Sequence, residues 1–397
     1  MKHKKKSKLK VAAISVVIIL AAAFGTLFII SGVFAAPRYL EPWDKSYYQK
    51  FDDPRIQLAA HGLLAANGHN MQPWKIRLDD KDPNVFYLYA DSSRLTIEVD
   101  PYARQMMVTQ GAFLEYAAIA GDELGYKTTV ELFPQGEYDE NNLTQSMDSM
   151  PAAKVILAKT QPVENALYQY MFLPDTNRAP YQDQLLTAQE INALKGIDAG
   201  NLSVKVFDGK EDMERLGWYA MQGAVTEAGV PRVMQETADI FRPNEYEKNK
   251  YRYGFSVEGQ GTSGIMLHIM QGLVTVFPSL NSGKGASDQF IQSTQSSVLG
   301  TSAYAMIVSN DNSRESQVLS GMAYSRLILA AHQLGIVMQP LSQVLEEYPE
   351  MAELYAGIHR EYAANGETIQ MLVRMGKPTK EVPNSMRRDV MDLIAQN

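Results

Sequence analysis

The sharpest change of pattern along the chain lies at residues 59–78, AAHGLLAANGHNMQPWKIRL. Apolar residues at helical spacing (Ile56, Leu58, Ala59, Leu63, Leu64) predict a helix over 54–66. Pro54 suits its first turn, where a missing N–H is harmless. The helix is expected to stop at Asn67-Gly68, a pair that tolerates positive φ. A polar knot follows, His69-Asn70-Met71-Gln72-Pro73-Trp74, and then alternation at Trp74, Ile76 and Leu78 predicts a strand. Two side-chain amides, a proline and a large aromatic within five residues suit a loop that hydrogen-bonds a flat heteroaromatic ligand, since amides both donate and accept. A helix C-cap followed by a turn is the plainer reading of the same residues.

Further along, strands are expected at 85–89, 128–133, 154–158, 202–207 and 302–309, and helices at 104–124, 163–171, 188–194, 212–238 and 316–334. Residues 134–150 are acidic, amide-rich and loop-like; 370–378 read as a strand running into a turn, and 389–395 as a last helix. Residues 241–290 are the least regular part, with a mobile loop expected over the Gly-, Ser- and Asn-rich 259–287. One helix pattern occurs twice. Gly111, Ala120, Leu124 and Gly125 recur as Gly321, Ala330, Leu334 and Gly335, all at an offset of 210 residues. Each copy reads as a buried helix stopped by glycine and followed by a strand.

The first 36 residues stand apart. A basic head with six lysines in residues 2–10 precedes an uncharged apolar run from 11 to 36. That is longer than the core of a signal peptide and long enough to span a bilayer, about 20 residues. A retained single-pass anchor is expected, lysines inside and body outside the cell membrane; cleavage near Val33-Phe34-Ala35 is the rival reading. Without the head, 31 Lys and Arg face 45 Asp and Glu, a net charge of −14. So acidic a body argues against a nucleic-acid surface.

Candidate chemistry is sparse. With no cysteine there is no disulfide and no thiolate nucleophile or ligand. The histidines (3, 61, 69, 268, 332 and 359) show no metal-ligand pairing, and neither G-x-S-x-G nor H-E-x-x-H occurs, so no metal site is expected. Gly259-Gln-Gly-Thr-Ser-Gly264 is formally G-x-G-x-x-G but follows a polar, aromatic stretch instead of a buried strand. GKGA at 283–286 lacks the hydroxyl residue of a P-loop.

HNMQPW, followed by YADSSR (89–94), Asp100-Pro101 and QGAFLE (110–115), resembles the nitroreductase-like flavoproteins, and more narrowly their single-chain Acg branch. PDTNRAPY (174–181) is similar to the same family's phosphate and ribityl motif, matching at Thr176, Arg178, Pro180 and Tyr181; Pro174 and Asp175 stand where that motif has two arginines. The resemblance covers the chain from about Asp53 to the C-terminus. It implies an α+β, nitroreductase-like fold in which two fused halves, 54–172 and 173–397, form a monomeric pseudo-dimer. Residues 1–36 (head and transmembrane helix) and a 37–53 linker precede the halves, and 241–290 form a lid-like insertion. It implies one FMN between the halves, contacted by Asn67, Gly68, Asn70, Gln72, Thr176, Arg178, Arg387 and Arg388, with Arg374 and Lys377 as weaker candidates. No catalytic side chain is implied, because the flavin carries hydride from NAD(P)H to a small-molecule acceptor such as a nitroaromatic or quinone. The alternative is a membrane-anchored protein that holds or stores flavin with little turnover.

Overall fold

The computed structural model describes residues 2–395. Its first element, α1 (Lys2–Ser31), contains a 20-residue apolar segment, Ala12–Ser31, long and apolar enough to cross a membrane. Two short 3-10 turns then lead to α2 (Pro54–Gly62), opened by Asp53, whose carboxylate accepts from the Arg55 amide.

The first half continues with β1 (Trp74–Leu78), β2 (Val85–Ala90), α3 (Arg104–Leu124), β3 (Tyr126–Leu132), α4 (Leu143–Ser149) and β4 (Ala153–Lys159). Its strands stand in the order β1-β2-β4-β3, all antiparallel. The second half opens with α5 (Ala188–Lys195) and β5 (Ser203–Phe207). A long insertion follows: α6 (Lys210–Ala228), α7 (Pro231–Asp239), β6 (Phe241–Arg242), α8 (Glu245–Tyr251), β7 (Phe255–Ser256), α9 (Gly264–Val276) and α10 (Gly283–Leu299). The half closes with β8 (Ala303–Ser309), α11 (Arg314–Gln333), β9 (Val337–Pro340), α12 (Ala352–Tyr362) and β10 (Thr368–Gly376). Its order, β5-β8-β10-β9, reproduces that of the first sheet, again antiparallel throughout. The fold is α+β with two halves of one topology.

The halves meet through α3 and α11, which are buried on almost every face. A Cβ placed on Gly111 would lie 1.7 Å from the Val318 carbonyl oxygen, and one on Gly321 would lie 1.8 Å from that of Val108. Val108 and Val318 are themselves 210 residues apart, so the contact maps onto itself, as across a two-fold axis. Gly125 and Gly335 end the two copies in left-handed backbone (φ 78° and 67°), the conformation that a glycine stop supplies without penalty. Glu115 on α3 and Arg326 on α11 add a two-pronged ion pair at 2.6 and 2.9 Å across the junction.

Several expectations need correction. The helix of 54–66 ends at Gly62, because the chain tightens into a turn before Asn67. Residues 134–150 contain α4, and 163–171 is no α-helix but carries a 3-10 turn at Tyr168–Phe172. The helix of 212–238 is broken at Val230-Pro231, where proline starts a new one. The irregular 241–290 is largely helical, and 389–395 holds only a 3-10 turn, Val390–Leu393.

Behind the second sheet, Glu227 of α6 and Glu346 are both buried, with Tyr348, Asp100 and Arg104 around them. Burial raises Glu227 from 4.5 to about 8, and holds Glu346 well above its usual range with help from the Glu227 charge. The folded chain therefore keeps a proton that the unfolded chain releases near 4.5. Stability is fullest below that pH and declines as pH rises toward about 8, by about 1.4 kcal/mol per unit for one retained proton. Glu227→Gln keeps the shape without that titration and should make the decline shallower, leaving the part that burial of Glu346 contributes. Urea midpoints between pH 5 and 8 check this, and an unchanging wild-type midpoint would show that the pair holds no proton.

Candidate functional site

Three of the four residues His69-Asn70-Met71-Gln72 adopt left-handed backbone: His69 (φ 53°), Asn70 (φ 53°) and Gln72 (φ 51°). The positive φ expected at Asn67-Gly68 falls instead on these neighbours; Asn67 is extended at φ −154°. Non-glycine residues persist there only when their surroundings over-determine them. Asn67 Oδ1 accepts from the Gln72 amide at 2.8 Å, and the Gly68 amide donates to Thr109 Oγ1 at 3.2 Å. Asn70 Nδ2 donates to the Gly254 and Met386 carbonyls at 3.2 and 3.1 Å, and the Gly254 amide returns a bond to the Asn70 carbonyl at 3.0 Å. Gln72 is fully buried; its Nε2 donates to the Arg252 carbonyl at 2.8 Å and its Oε1 accepts from the Arg388 amide at 2.8 Å. The amide-rich knot thus fastens the insertion and the C-terminal segment to the first half.

The two C-terminal arginines belong to the same joint. Arg387, fully buried, donates to the Leu64 and Ala65 carbonyls at 2.9 and 3.2 Å and to Asn70 Oδ1 at 2.9 Å, and lies over the Trp43 ring at 4.7 Å. Arg388 donates to the Gln72 and Asp392 carbonyls at 3.3 and 2.6 Å. Of the weaker candidates, Lys377 pairs with Glu190, and Arg374 lies over the Tyr181 ring at 3.8 Å. Arg374 also donates to the Ala179 carbonyl at 2.9 Å and to Gln339 Oε1 at 2.8 Å, which fixes the loop that presents Arg178.

Beside the knot lies a cleft of about 120 Å³ between the halves. Of the eight residues expected to hold a cofactor, it brings together Asn67, Asn70, Thr176 and Arg178. Gly68, Gln72, Arg387 and Arg388 stand behind its wall, although their neighbours Ser385 and Met386 line it. The insertion closes the other side with Gly254, Phe255, Ser256, Glu258 and Gly261. A second cavity, about 270 Å³, is lined by a polar stripe of α10 (Gln289, Gln292, Ser293, Ser296) and also by Arg178.

Charge in the cleft is unevenly committed. Lys248 is bound by Glu245 at 2.8 Å and Glu258 at 2.6 Å, and lies over the Tyr39 ring at 4.3 Å. Arg178 is exposed on the cleft wall and among the described residues has neither a hydrogen-bond partner nor an ion pair; Asp175 is the main opposite charge acting on it. His69 packs against Phe255 with ring centres 5.4 Å apart. Burial, with the Arg178 charge beside it, lowers its pKa to about 4, so the imidazole is neutral at physiological pH. Among the described lining residues Arg178 is thus a cation outside any ion pair, with the Thr176 hydroxyl and a neutral imidazole near it and the Asp175 carboxylate on the same wall, so only the Arg178–Thr176 end suits an anionic group. Tyr39, Lys248 and Glu258 were not expected here, and nothing in the sequence around them marks them out; Asp175 stands, as its place in the 174–181 motif implied, where that motif has one of its two arginines.

No family model matches the chain, and no curated protein matches it. Among solved structures, it is similar to a nitroreductase with bound FMN from Desulfitobacterium hafniense, at 11% identity and a TM-score of 0.36 over 59% of this chain and 100% of that one. It is also similar to an FMN-dependent nitroreductase from Mycobacterium smegmatis in complex with NADPH, at 14% identity and TM-score 0.32 over 55% of this chain and 92% of the other. A nitroreductase-like family protein from Bacillus cereus aligns at 12% identity and TM-score 0.31, covering 60% and 99% of the two chains.

Proposed function

We propose that the chain is an FMN-binding oxidoreductase of the nitroreductase-like, single-chain Acg type, held in the cell membrane by α1 with its body outside. The observation that carries the reading is Arg178, a cation without a partner, facing a cleft that both halves build around the HNMQPW knot. The sequence motifs at 69–74 and 174–181 form two walls of that one cleft. Bound there, the flavin would supply the hydride chemistry between NAD(P)H and a small-molecule acceptor such as a nitroaromatic or quinone. Arg178 and Thr176 would hold the phosphate and ribityl end, while Asn67 and Asn70 would border the ring and Gly68 would support them from behind. Gln72, Arg387 and Arg388 would act from behind, by keeping the knot in its strained form.

The donor set fits the phosphate end. The ring is another matter, because about 120 Å³ falls below the roughly 300 Å³ at which small-molecule pockets begin. Residues 254–261 must therefore withdraw for the whole molecule to enter. That closure favours a second reading, a flavin-holding protein with little turnover, since a covered ring keeps reductant away.

One experiment separates the readings. The full-length chain, purified in detergent, is mixed with FMN, desalted, and then mixed anaerobically with NADH or NADPH while its visible absorbance is followed. The oxidoreductase reading expects flavin absorbance that survives desalting and bleaches with a reduced nicotinamide. Bleaching by dithionite alone would leave the holding reading standing, and complete loss of absorbance on desalting would end both.

A further inference from the structure

The insertion contains a stretch of the chain that chemistry sets apart: from Gly259 to Gly283 there is no Asp, Glu, Lys or Arg. Within it, α9 is 13 residues long and strongly apolar, too short to span a bilayer, which takes about 20 residues. It does not pack into either sheet. Its partner is α1. His268 meets the Phe28 ring with centres 5.8 Å apart and reaches Ser31 Oγ at 3.4 Å, and one turn further on Gly272 lies against the Leu27 backbone. A Cβ on Gly272 would be 2.6 Å from the Leu27 carbonyl oxygen. Such close approach over a small residue is the way helices associate where no water drives them together.

These contacts also fix direction. Later residues of α9 meet earlier residues of α1, so α9 runs antiparallel to α1 and back along its apolar segment. Large apolar side chains stay exposed nonetheless: Ile265 and Met266 near the start of α9, and Val276, Phe277 and Leu280 at its end, Ile265 to 71%. Phe24 and Ile29 of α1 are exposed beside it. An apolar face of this kind needs an occupant.

We propose that α9 and the turn after it lie in the lipid bilayer alongside α1, as a second, non-spanning membrane contact. The proposal rests on the reading of α1 as a membrane anchor. If α1 crosses the bilayer, α9 is carried into it, because the two helices are packed side by side. Lack of charge from 259 to 283 lets the segment enter, and Lys284 with Asp288 marks the return to water. The buried face of α9 is tied to the lid, since Gln271 Nε2 donates to Glu245 Oε1 at 2.7 Å and Thr275 Oγ1 accepts from Asn244 at 3.1 Å. The cleft wall at Glu258 to Gly261 thus lies three residues from a lipid-embedded helix.

The chain contains no cysteine, so single labels are easily placed. Full-length Phe277→Cys, Leu280→Cys, Ile19→Cys and Leu299→Cys variants are labelled with an environment-sensitive fluorophore and reconstituted into phosphatidylcholine vesicles. Position 19 reports on the anchor, and position 299, 81% exposed at the end of α10, reports on water. Labels at 277 and 280 should be quenched by spin-labelled lipid as at 19, with iodide quenching roughly fivefold weaker or more than at 299. If 277 and 280 are as open to iodide as 299 while 19 stays in lipid, the proposal fails and the anchor stands. If 19 is also open to iodide, the anchor reading itself has failed. If 277 and 280 are shielded from both quenchers and cross-link between molecules, the face is covered by a second copy, and the proposal is overturned.

Discussion

Alanine at Gly111 or Gly321 is expected to destabilise the protein by about 2 kcal/mol or more, although alanine is the better helix former by about 1 kcal/mol. The reason is where the added methyl would go. At 1.7 Å from the Val318 carbonyl oxygen, or 1.8 Å from that of Val108, it meets backbone, which has no rotamer into which it can turn. Relief requires α3 and α11 to move apart, and that opens the contact carrying the ion pair of Glu115 with Arg326 and the bond from Ser325 Oγ to the Ala112 carbonyl at 3.2 Å. A methyl on Gly285 in α10 would have nothing within 4 Å of it, so the same change there should be neutral or slightly stabilising. The double variant at 111 and 321 should cost less than the sum of the singles, because one separation relieves both clashes. Denaturant unfolding of the full chain in detergent checks all four proteins. If Gly111→Ala matches Gly285→Ala, the halves do not dock through these glycines.

That junction was legible in the sequence because close approach demands glycine, and the demand left the same residue at 111 and 321. Periodicity was equally plain for α3, α11 and β8, where burial on most faces leaves long apolar patterns. It failed at α9. The flanking Gly259 to Gly264 and Ser279 to Gly285 read as loop, and an apolar run of 13 residues between them did not outweigh them. The site divides in the same way. Arg178 was marked out only by its local motif, and the fold places it on the cleft wall. The partners of Asn70 could not be read locally, since Gly254 and Met386 lie 184 and 316 residues away. A side-chain amide that looks free in sequence is available to any carbonyl the fold brings near, and here the fold brought protein.

Arg178→Ala should weaken FMN binding by about 10- to 100-fold, the equivalent of the 1.5–3 kcal/mol typical of a charged hydrogen bond, while leaving the protein folded. Both halves of that statement come from its lack of partners. Its guanidinium holds no carbonyl and no carboxylate among the described residues, so removal strands nothing buried. Arg387 is the opposite case. It satisfies the Leu64 and Ala65 carbonyls and Asn70 Oδ1; Arg387→Ala would leave the Leu64 carbonyl and Asn70 Oδ1 without a donor and Ala65 with Asn67 Nδ2 alone, a change that costs several kcal/mol in stability. The two variants therefore separate a grip on the ligand from a grip on the fold. Arg178→Lys keeps the charge without the planar fork and should fall between Arg178→Ala and the parent. Titration with FMN, paired with denaturant unfolding of each variant, reads both quantities. Should Arg178→Ala bind FMN as tightly as the parent, the phosphate is held elsewhere, and the uncommitted cation in the cleft serves some other anion.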